Sequence, residues 1–262
     1  MEGKFGIDVL LRVKLPGSKN CCICKSIIYT FQRATIVMSD ITLQPYQSEY
    51  IDLALKWNIL RFGGPFKLKS GRESPYFFNA GLFNTGHKLQ KMAECYANRI
   101  VESGIEFDVL FGPAYKGIPL VAATALELAR IHGRDVPFCF NRKQTKSYGE
   151  GGNLIGAPLQ GRVLVVDDVI TAGTAINEAV DIISAQPDAS MVGVVIALDR
   201  QERASEETTE SAIMQVEKRL GVKVYSVVTL AQIIKHMEVT RGDSARADIE
   251  SMQAYRQKYG SS

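Results

Sequence analysis

From residue 108 onward the chain alternates between short apolar runs and longer segments in which apolar residues recur every three or four positions. The runs fall at 108–111, 136–140, 163–166, 192–198 and 222–228. The helical segments fall at about 117–132, 174–186, 207–220 and 229–237, with one more at 86–103 ahead of the first run. Strands separated by helices pair in parallel, because a parallel crossover needs a dozen or more residues and a helix supplies them. The expected fold class is therefore α/β. In parallel sheets ligands sit beyond the carboxyl ends of the strands, so the loops after Phe111, Phe140, Val166 and Leu198 are where chemistry is expected. Those four loops are rich in charge and glycine.

Ahead of this alternation, Tyr50, Leu53, Ala54 and Trp57 mark a helix within 46–58. The segment 66–78 reads as two short strands around a Ser70-Gly71 turn, a small antiparallel unit. Residues 1–37 show no sustained period and end just before Met38, which looks like a natural start. Three readings stay open for them: an artefactual extension, an organellar targeting peptide, and a disordered arm. Targeting peptides are rich in Arg and poor in acids, whereas here Lys predominates and Glu2 and Asp8 come early. This segment holds six Lys/Arg against two acids, a net of +4 within a chain of +3, which leaves −1 for the rest. A body without a basic surplus gives no reason to expect nucleic acid.

With 262 residues, 46% of them hydrophobic, the chain can bury the core of one globular domain. Charges interrupt each apolar stretch before the roughly 18 residues of a membrane span, so no membrane association is expected. Five cysteines are an odd number. Cys21, Cys22 and Cys24 crowd together without a second pair or a nearby histidine, and Cys95 and Cys139 lie far apart. That pattern is neither a disulfide framework nor a zinc site, and reduced thiols in the cytoplasm are the expectation.

The most informative string is Val163-Leu-Val-Val-Asp-Asp-Val-Ile-Thr-Ala-Gly-Thr-Ala. It carries a buried strand into two carboxylates, then a turn, then a helix. Thr174 suits a helix N-cap, and the free amides of the first turn, with the hydroxyls of Thr171 and Thr174, make a positive nest for a phosphate monoester. Gly173 lets the backbone come close. Asp167 and Asp168 would repel phosphate but can accept hydrogen bonds from vicinal ribose hydroxyls, so together the parts describe a ribose phosphate site.

This string resembles the phosphoribosyl pyrophosphate signature of the type I phosphoribosyltransferases. Further strings, 66–83, Phe111-Gly-Pro-Ala-Tyr-Lys-Gly-Ile-Pro, Asn141-Arg-Lys-Gln-Thr-Lys-Ser-Tyr-Gly-Glu-Gly-Gly and Ala197-Leu-Asp-Arg-Gln-Glu, resemble the orotate phosphoribosyltransferases. The likeness runs from about 38 to the C-terminus and has no counterpart for residues 1–37. It implies a type I phosphoribosyltransferase fold in 38–262: a hood at about 38–85, a core at about 86–240 with a five-stranded parallel sheet flanked by helices, and a C-terminal helix at about 243–259. It also implies a Mg²⁺ requirement, a homodimer, and the transfer of ribose 5-phosphate from phosphoribosyl pyrophosphate to orotate in UMP synthesis.

Carried over by position, the resemblance assigns Lys69, Tyr115, Lys116, Arg142, Lys143 and Lys146 to the pyrophosphate-bearing substrate. Asp167, Asp168, Val169, Ile170, Thr171, Ala172, Gly173, Thr174 and Ala175 hold its ribose and 5′-phosphate. Phe77 and Phe78 lie against orotate, with Thr171 and Arg200 completing that pocket and Arg200 meeting the carboxylate. Mg²⁺ is expected on pyrophosphate and ribose hydroxyls, with no direct protein ligand. One departure stands out: Tyr148 occupies the position where the bacterial enzymes commonly have histidine, and a phenol stays neutral near pH 7.

The residue types agree with this chemistry on their own terms. Breaking the bond from C1′ to pyrophosphate builds positive charge on the ribose ring and negative charge on the leaving group. The cations Lys69, Lys116, Arg142, Lys143 and Lys146 can meet that group, each worth about 2 to 4 kcal/mol in a dry site. No covalent nucleophile is needed, because orotate attacks through its own deprotonated nitrogen. Arginine suits a planar carboxylate better than lysine does. The polar, glycine-rich stretch 144–152 reads as a lid that closes to exclude water, and in the resembled family it reaches the neighbouring subunit's site.

His87, His132 and His236 stand apart with no carboxylate partner recognisable from spacing, so surface or capping roles are expected. The acidic run from Glu202 to Glu210 reads as a solvated loop and helix start, and Trp57 as core. A purine or uracil phosphoribosyltransferase would share the loop from Asp167 to Thr174 but lack the Lys-Ser-Gly-Arg-Glu-Ser-Pro-Tyr-Phe-Phe hood. A regulator that senses phosphoribosyl pyrophosphate without catalysis would need a second binding surface. No fused decarboxylase domain is expected, since the chain ends soon after Tyr259, and association with the decarboxylase acting next stays open.

Overall fold

Local signals build the hood first. Helix α1 (Pro45–Lys56) starts where proline at its first position costs no hydrogen bond, and it buries Tyr50, Ile51, Ala54 and Leu55 along one stripe. Strands β1 (Leu60–Arg61) and β4 (Phe77–Phe78) pair antiparallel around a second, inner hairpin of β2 (Phe66–Lys67) and β3 (Glu73–Ser74). The inner hairpin is the expected unit, with Gly71 at φ 81° supplying the left-handed turn residue. The outer pair escaped the sequence reading, because two-residue strands carry no period. The computed structural model describes residues 41–146, 152–170 and 174–261, and for Thr145, Lys146 and Thr174 the backbone alone. The boundary expected at 37/38, Cys21, Cys22, Cys24 and Tyr148 lie outside the described residues.

The core alternates as expected: α2 (Gly86–Ser103), β5 (Val109–Gly112), α3 (Gly117–His132), β6 (Phe138–Lys146), β7 (Gly152–Gly156), β8 (Gly161–Val166), α4 (Thr174–Ser184), β9 (Ala189–Asp199), α5 (Ala212–Leu220), β10 (Lys223–Thr229) and α6 (Leu230–Thr240). A short 3₁₀ turn then leads to α7 (Arg246–Tyr259). The sheet order is β10-β9-β8-β5-β6-β7, with five parallel strands and β7 antiparallel on the β6 edge. Strand β7 corrects the reading of 144–152 as loop throughout: Gln144 to Lys146 continue β6 and Gly152 opens β7, while 147–151 lie outside the described residues.

Helices cover both faces of the parallel strands, which explains why their apolar runs do not alternate. Val163, Leu164, Val165 and Val166 are all fully buried, as are Val194 to Ala197 beside them. Each such side chain contributes about 1.5 to 3 kcal/mol relative to exposure. Cys95 and Cys139 are free and buried, and burial pushes their thiols up to about 12 and about 11, so both are poor nucleophiles.

Four further expectations change on packing grounds. Helix α5 begins at Ala212 rather than 207, because the Ser211 hydroxyl accepts from Met214 N at 3.0 Å and caps it there. Glu202, read as part of a solvated run, is enclosed between two arginines. His236, read as lacking a carboxylate, is 6% exposed with Nε2 2.8 Å from Asp52 Oδ1, a contact 184 residues apart that spacing does not reveal. Trp57 is half-buried at the end of α1, with its ring edge-on to Phe83 and His87.

The β5–α3 turn sets the tightest tolerance. A Cβ on Gly112 would lie 2.2 Å from Gly117 O and 2.6 Å from Val121 Cγ1. Gly112→Ala should therefore lose about 1 to 3 kcal/mol of stability in urea unfolding, and kcat should fall with it, since this turn carries Tyr115 and Lys116.

Candidate active site

Reading outward from β5, the chain runs one way to β6 and returns on the other side to β8, so the sheet reverses direction between β5 and β8. The loops diverging there leave a crevice at the strands' carboxyl ends. Lys116, after β5, and Asp167-Asp168, after β8, come from the two lips of that crevice. Lys116 Nζ lies 2.5 Å from Asp168 Oδ2 although 52 residues separate them. The lysine side chain is 60% exposed and the carboxylate 10%, so the cation remains open to solvent while the acid is held inside.

The acidic pair is built into the sheet's hydrogen bonding. Asp167 N donates to Val195 O at 3.0 Å and Ala197 N donates to Asp168 O at 2.8 Å, extending the ladder past the last residue of β8. Asp168 N donates to Asp167 Oδ1 and Val169 N to Asp168 Oδ1, each at 2.8 Å. The buried Tyr96 hydroxyl, from α2, donates to Asp167 O at 2.9 Å and anchors the turn from below. Burial, and then the neighbouring Asp168, push the Asp167 carboxyl up to about 7.

Asn141, 5% exposed near the middle of β6, accepts from Ala114 N at 2.7 Å and ties the Tyr115-Lys116 turn to that strand. A cis peptide joins Ala114 to Tyr115, and Tyr115 is 70% exposed. Arg142 and Lys143 follow Asn141, with Arg142 half-buried and Lys143 ion-paired to Glu178 of α4. Lys69 is exposed in the β2–β3 turn, Val169 and Ile170 are half-buried beyond the acidic pair, and Ala175 lies in the first turn of α4. Thr171, Ala172, Gly173 and the side chains of Thr174 and Lys146, the rest of the expected nest and clamp, lie outside the described residues.

Phe77 and Phe78 are half-buried in β4, and the Phe77 ring packs 5.8 Å from Phe66, with the Arg61 guanidinium 5.7 Å from both. Arg200 was expected to await a carboxylate. It already donates to one, through Nε to Glu202 Oε1 at 2.7 Å, and also to Ser74 Oγ at 3.1 Å. Sequence reasoning missed Tyr96, Asn141, Ser74 and Glu202. Asn141 alone carried a signal, a polar residue directly after an apolar strand pattern.

Retaining two adjacent acids here is costly to the fold. Asp167 titrates near 3.8 when exposed and near 7 in the native protein, so the native state holds an extra proton between those values. Its stability contribution is therefore most favourable at low pH and is lost as pH rises through that window. Asp167→Asn should raise stability by on the order of 2 to 4 kcal/mol at pH 8 and by little at pH 4. Thermal unfolding across that range, run beside an activity assay expected to show loss, checks it.

Residues 82–229 match the phosphoribosyl transferase domain family. An orotate phosphoribosyltransferase from Klebsiella pneumoniae is 55% identical over 218 residues, covering 83% of this chain and all of the relative. One from Thioalkalivibrio sulfidiphilus is 57% identical with the same coverage. The crystal structure of the orotate phosphoribosyltransferase of Francisella tularensis superposes with a TM-score of 0.72 at 42% identity, over 81% of this chain and all of that one. The match of the core to that family and the identity to relatives over most of the chain show that the chain belongs to the orotate phosphoribosyltransferases.

Proposed function

We propose that the protein transfers ribose 5-phosphate from phosphoribosyl pyrophosphate to orotate, a pentosyl transfer that yields orotidine monophosphate and pyrophosphate for pyrimidine synthesis. The observation that carries this reading is the Lys116–Asp168 pair at the switch point. It joins a cation suited to pyrophosphate with a carboxylate suited to ribose hydroxyls, and these are the two ends of the bond that breaks.

Each assigned residue answers a charge that develops or a shape that must be held. Lys69, Tyr115, Lys116, Arg142, Lys143 and Lys146 meet the pyrophosphate, whose negative charge grows as the bond to C1′ lengthens. Substrate binding would draw Lys116 from Asp168 and Lys143 from Glu178, since each ion pair is partly solvent-exposed and worth little in itself. Asp167 and Asp168 accept from the ribose hydroxyls, and residues 169–175 take the 5′-phosphate, where an anion suits the start of α4. Phe77 and Phe78 flank the orotate ring with Thr171, and Arg200 binds its carboxylate.

Two adjacent carboxylates are too few donors to cage a magnesium ion. They would instead hold the ribose hydroxyls that, with pyrophosphate, carry the Mg²⁺, leaving the ion without a direct protein ligand. Bound in this way, the ion would neutralise charge on the leaving group. The same reading takes the protein to be cytoplasmic, in keeping with the free, buried thiols of Cys95 and Cys139. It also takes the enzyme to be a homodimer in which the connection between β6 and β7 completes the neighbouring site.

Loss of orotate absorbance in the presence of phosphoribosyl pyrophosphate and Mg²⁺ should occur with orotate and fail with uracil, hypoxanthine and adenine in parallel product assays. Turnover of another base and not orotate would overturn the assignment. Lys116→Ala should lower kcat by about 10² to 10³. Mixing Lys146→Ala subunits with Lys116→Ala subunits should recover part of the activity, and no recovery would exclude a shared site.

A further inference from the structure

Arg200, assigned to the acceptor's carboxylate, stands in a buried charge cluster whose other members the reaction, as described, leaves unused. The Arg200 guanidinium donates from Nε to Glu202 Oε1 at 2.7 Å, and its Nη2 lies 2.7 Å from the same oxygen and 3.1 Å from Ser74 Oγ. Its plane lies 4.2 Å from the Tyr76 ring centroid. Glu202 is fixed in turn: Tyr76 OH donates to Oε1 at 3.4 Å, and Arg72 Nη1 lies 3.8 Å from Oε2. Arg72 donates to Arg203 O at 2.7 Å and sits 5.0 Å from the Tyr259 ring of α7. The side chains of Arg72, Glu202 and Arg200 are 8%, 13% and 14% exposed.

Two features make this more than a structural ion pair. A guanidinium offers five N–H groups. Nε donates to Glu202 and Nη2 to Ser74, with Nη2 also close to the Glu202 carboxylate. The contacts therefore set the rotation of the fork, and the Tyr255 hydroxyl of α7 lies within reach of both Arg200 and Glu202. Second, two arginines face one glutamate, so the buried cluster carries one positive charge in excess. That excess suits the carboxylate the base carries.

We propose that Glu202 is a positioning residue for the acceptor, acting through Arg200: it holds the guanidinium, braced by Ser74 and Tyr76, so that the fork meets the carboxylate of the incoming base. This rests on the reading that Arg200 binds that carboxylate. Glu202 selects for an anionic base without touching it, because a partner held on Nε and Nη2 prevents the side chain from swinging to another anion, the pyrophosphate included.

Steady-state kinetics of the full chain as wild type, Glu202→Gln, Arg200→Gln and the double variant test this, with thermal unfolding of each as a check on folding. Glu202→Gln keeps the shape and removes the charge. It should raise the KM for orotate roughly tenfold while the KM for phosphoribosyl pyrophosphate stays within about twofold. In the Arg200→Gln background the same change should have no further effect on orotate. Ser74→Ala, which spares the ion pair, should shift the orotate KM in the same direction by less, and serves where Glu202→Gln fails to fold. Equal rises in both KM values, or an undiminished Glu202→Gln effect without Arg200, would show that Glu202 supports the fold alone and would overturn the proposal. If Arg200→Gln itself leaves the orotate KM unchanged, the assignment of Arg200 to the carboxylate fails first and the positioning role falls with it.

Discussion

The adjacent carboxylates at the end of β8 are the constraint to which the rest of the site responds. Asp167 is 5% exposed and Asp168 7%, and two acids so enclosed repel one another unless something answers each. Asp168 is answered by Lys116 and by Val169 N, whereas Asp167 receives the Asp168 amide and has its proton affinity raised. Carrying the Val195 and Ala197 pairings beyond the strand keeps the turn rigid, and the Tyr96 hydroxyl braces it from α2. The fold accepts a permanent loss of stability at this point. It obtains acceptors rigid enough to bind hydroxyls without rearranging, which is the condition for electrostatic catalysis.

A second charged cluster solves a different problem with the same physics. Arg72, Glu202 and Arg200 lie where β3, the segment after β9 and α7 meet, and Arg72, Ser74 and Tyr259 reach the Arg200–Glu202 pair from distant parts of the chain. Buried ion pairs stabilise little once desolvation is counted, but they fix orientation. Here that orientation concerns a guanidinium beside the base pocket. The acidic pair and the arginine cluster thus divide the work, one addressing the ribose and its leaving group, the other the acceptor.

The parallel sheet was legible in the residues because uninterrupted runs such as Val163 to Val166 can be satisfied only between covered faces, and because α2 and α3 end at Gly104 and Gly133 in left-handed caps. The ribose phosphate loop was legible because its chemistry is contiguous: strand, acids, turn and helix start lie within thirteen residues. Strand β7 was not, since a short strand whose pairing with β6 is its main support leaves no local period of its own. Nor was the true start of α5, which a single Ser211 hydroxyl decides.

By itself, then, the sequence determined the α/β class, the carboxyl-edge loops and the residue types available for phosphate, ribose and base, because each depends on neighbours in the chain. Tertiary structure alone decided that Lys116 meets Asp168, that Asn141 holds the Tyr115 turn, that His236 pairs with Asp52 and that Arg72 meets Glu202. The reason is physical. A side chain's charge and size are written locally, but its partner, its burial and hence its proton affinity depend on which distant segment the folded chain sets beside it.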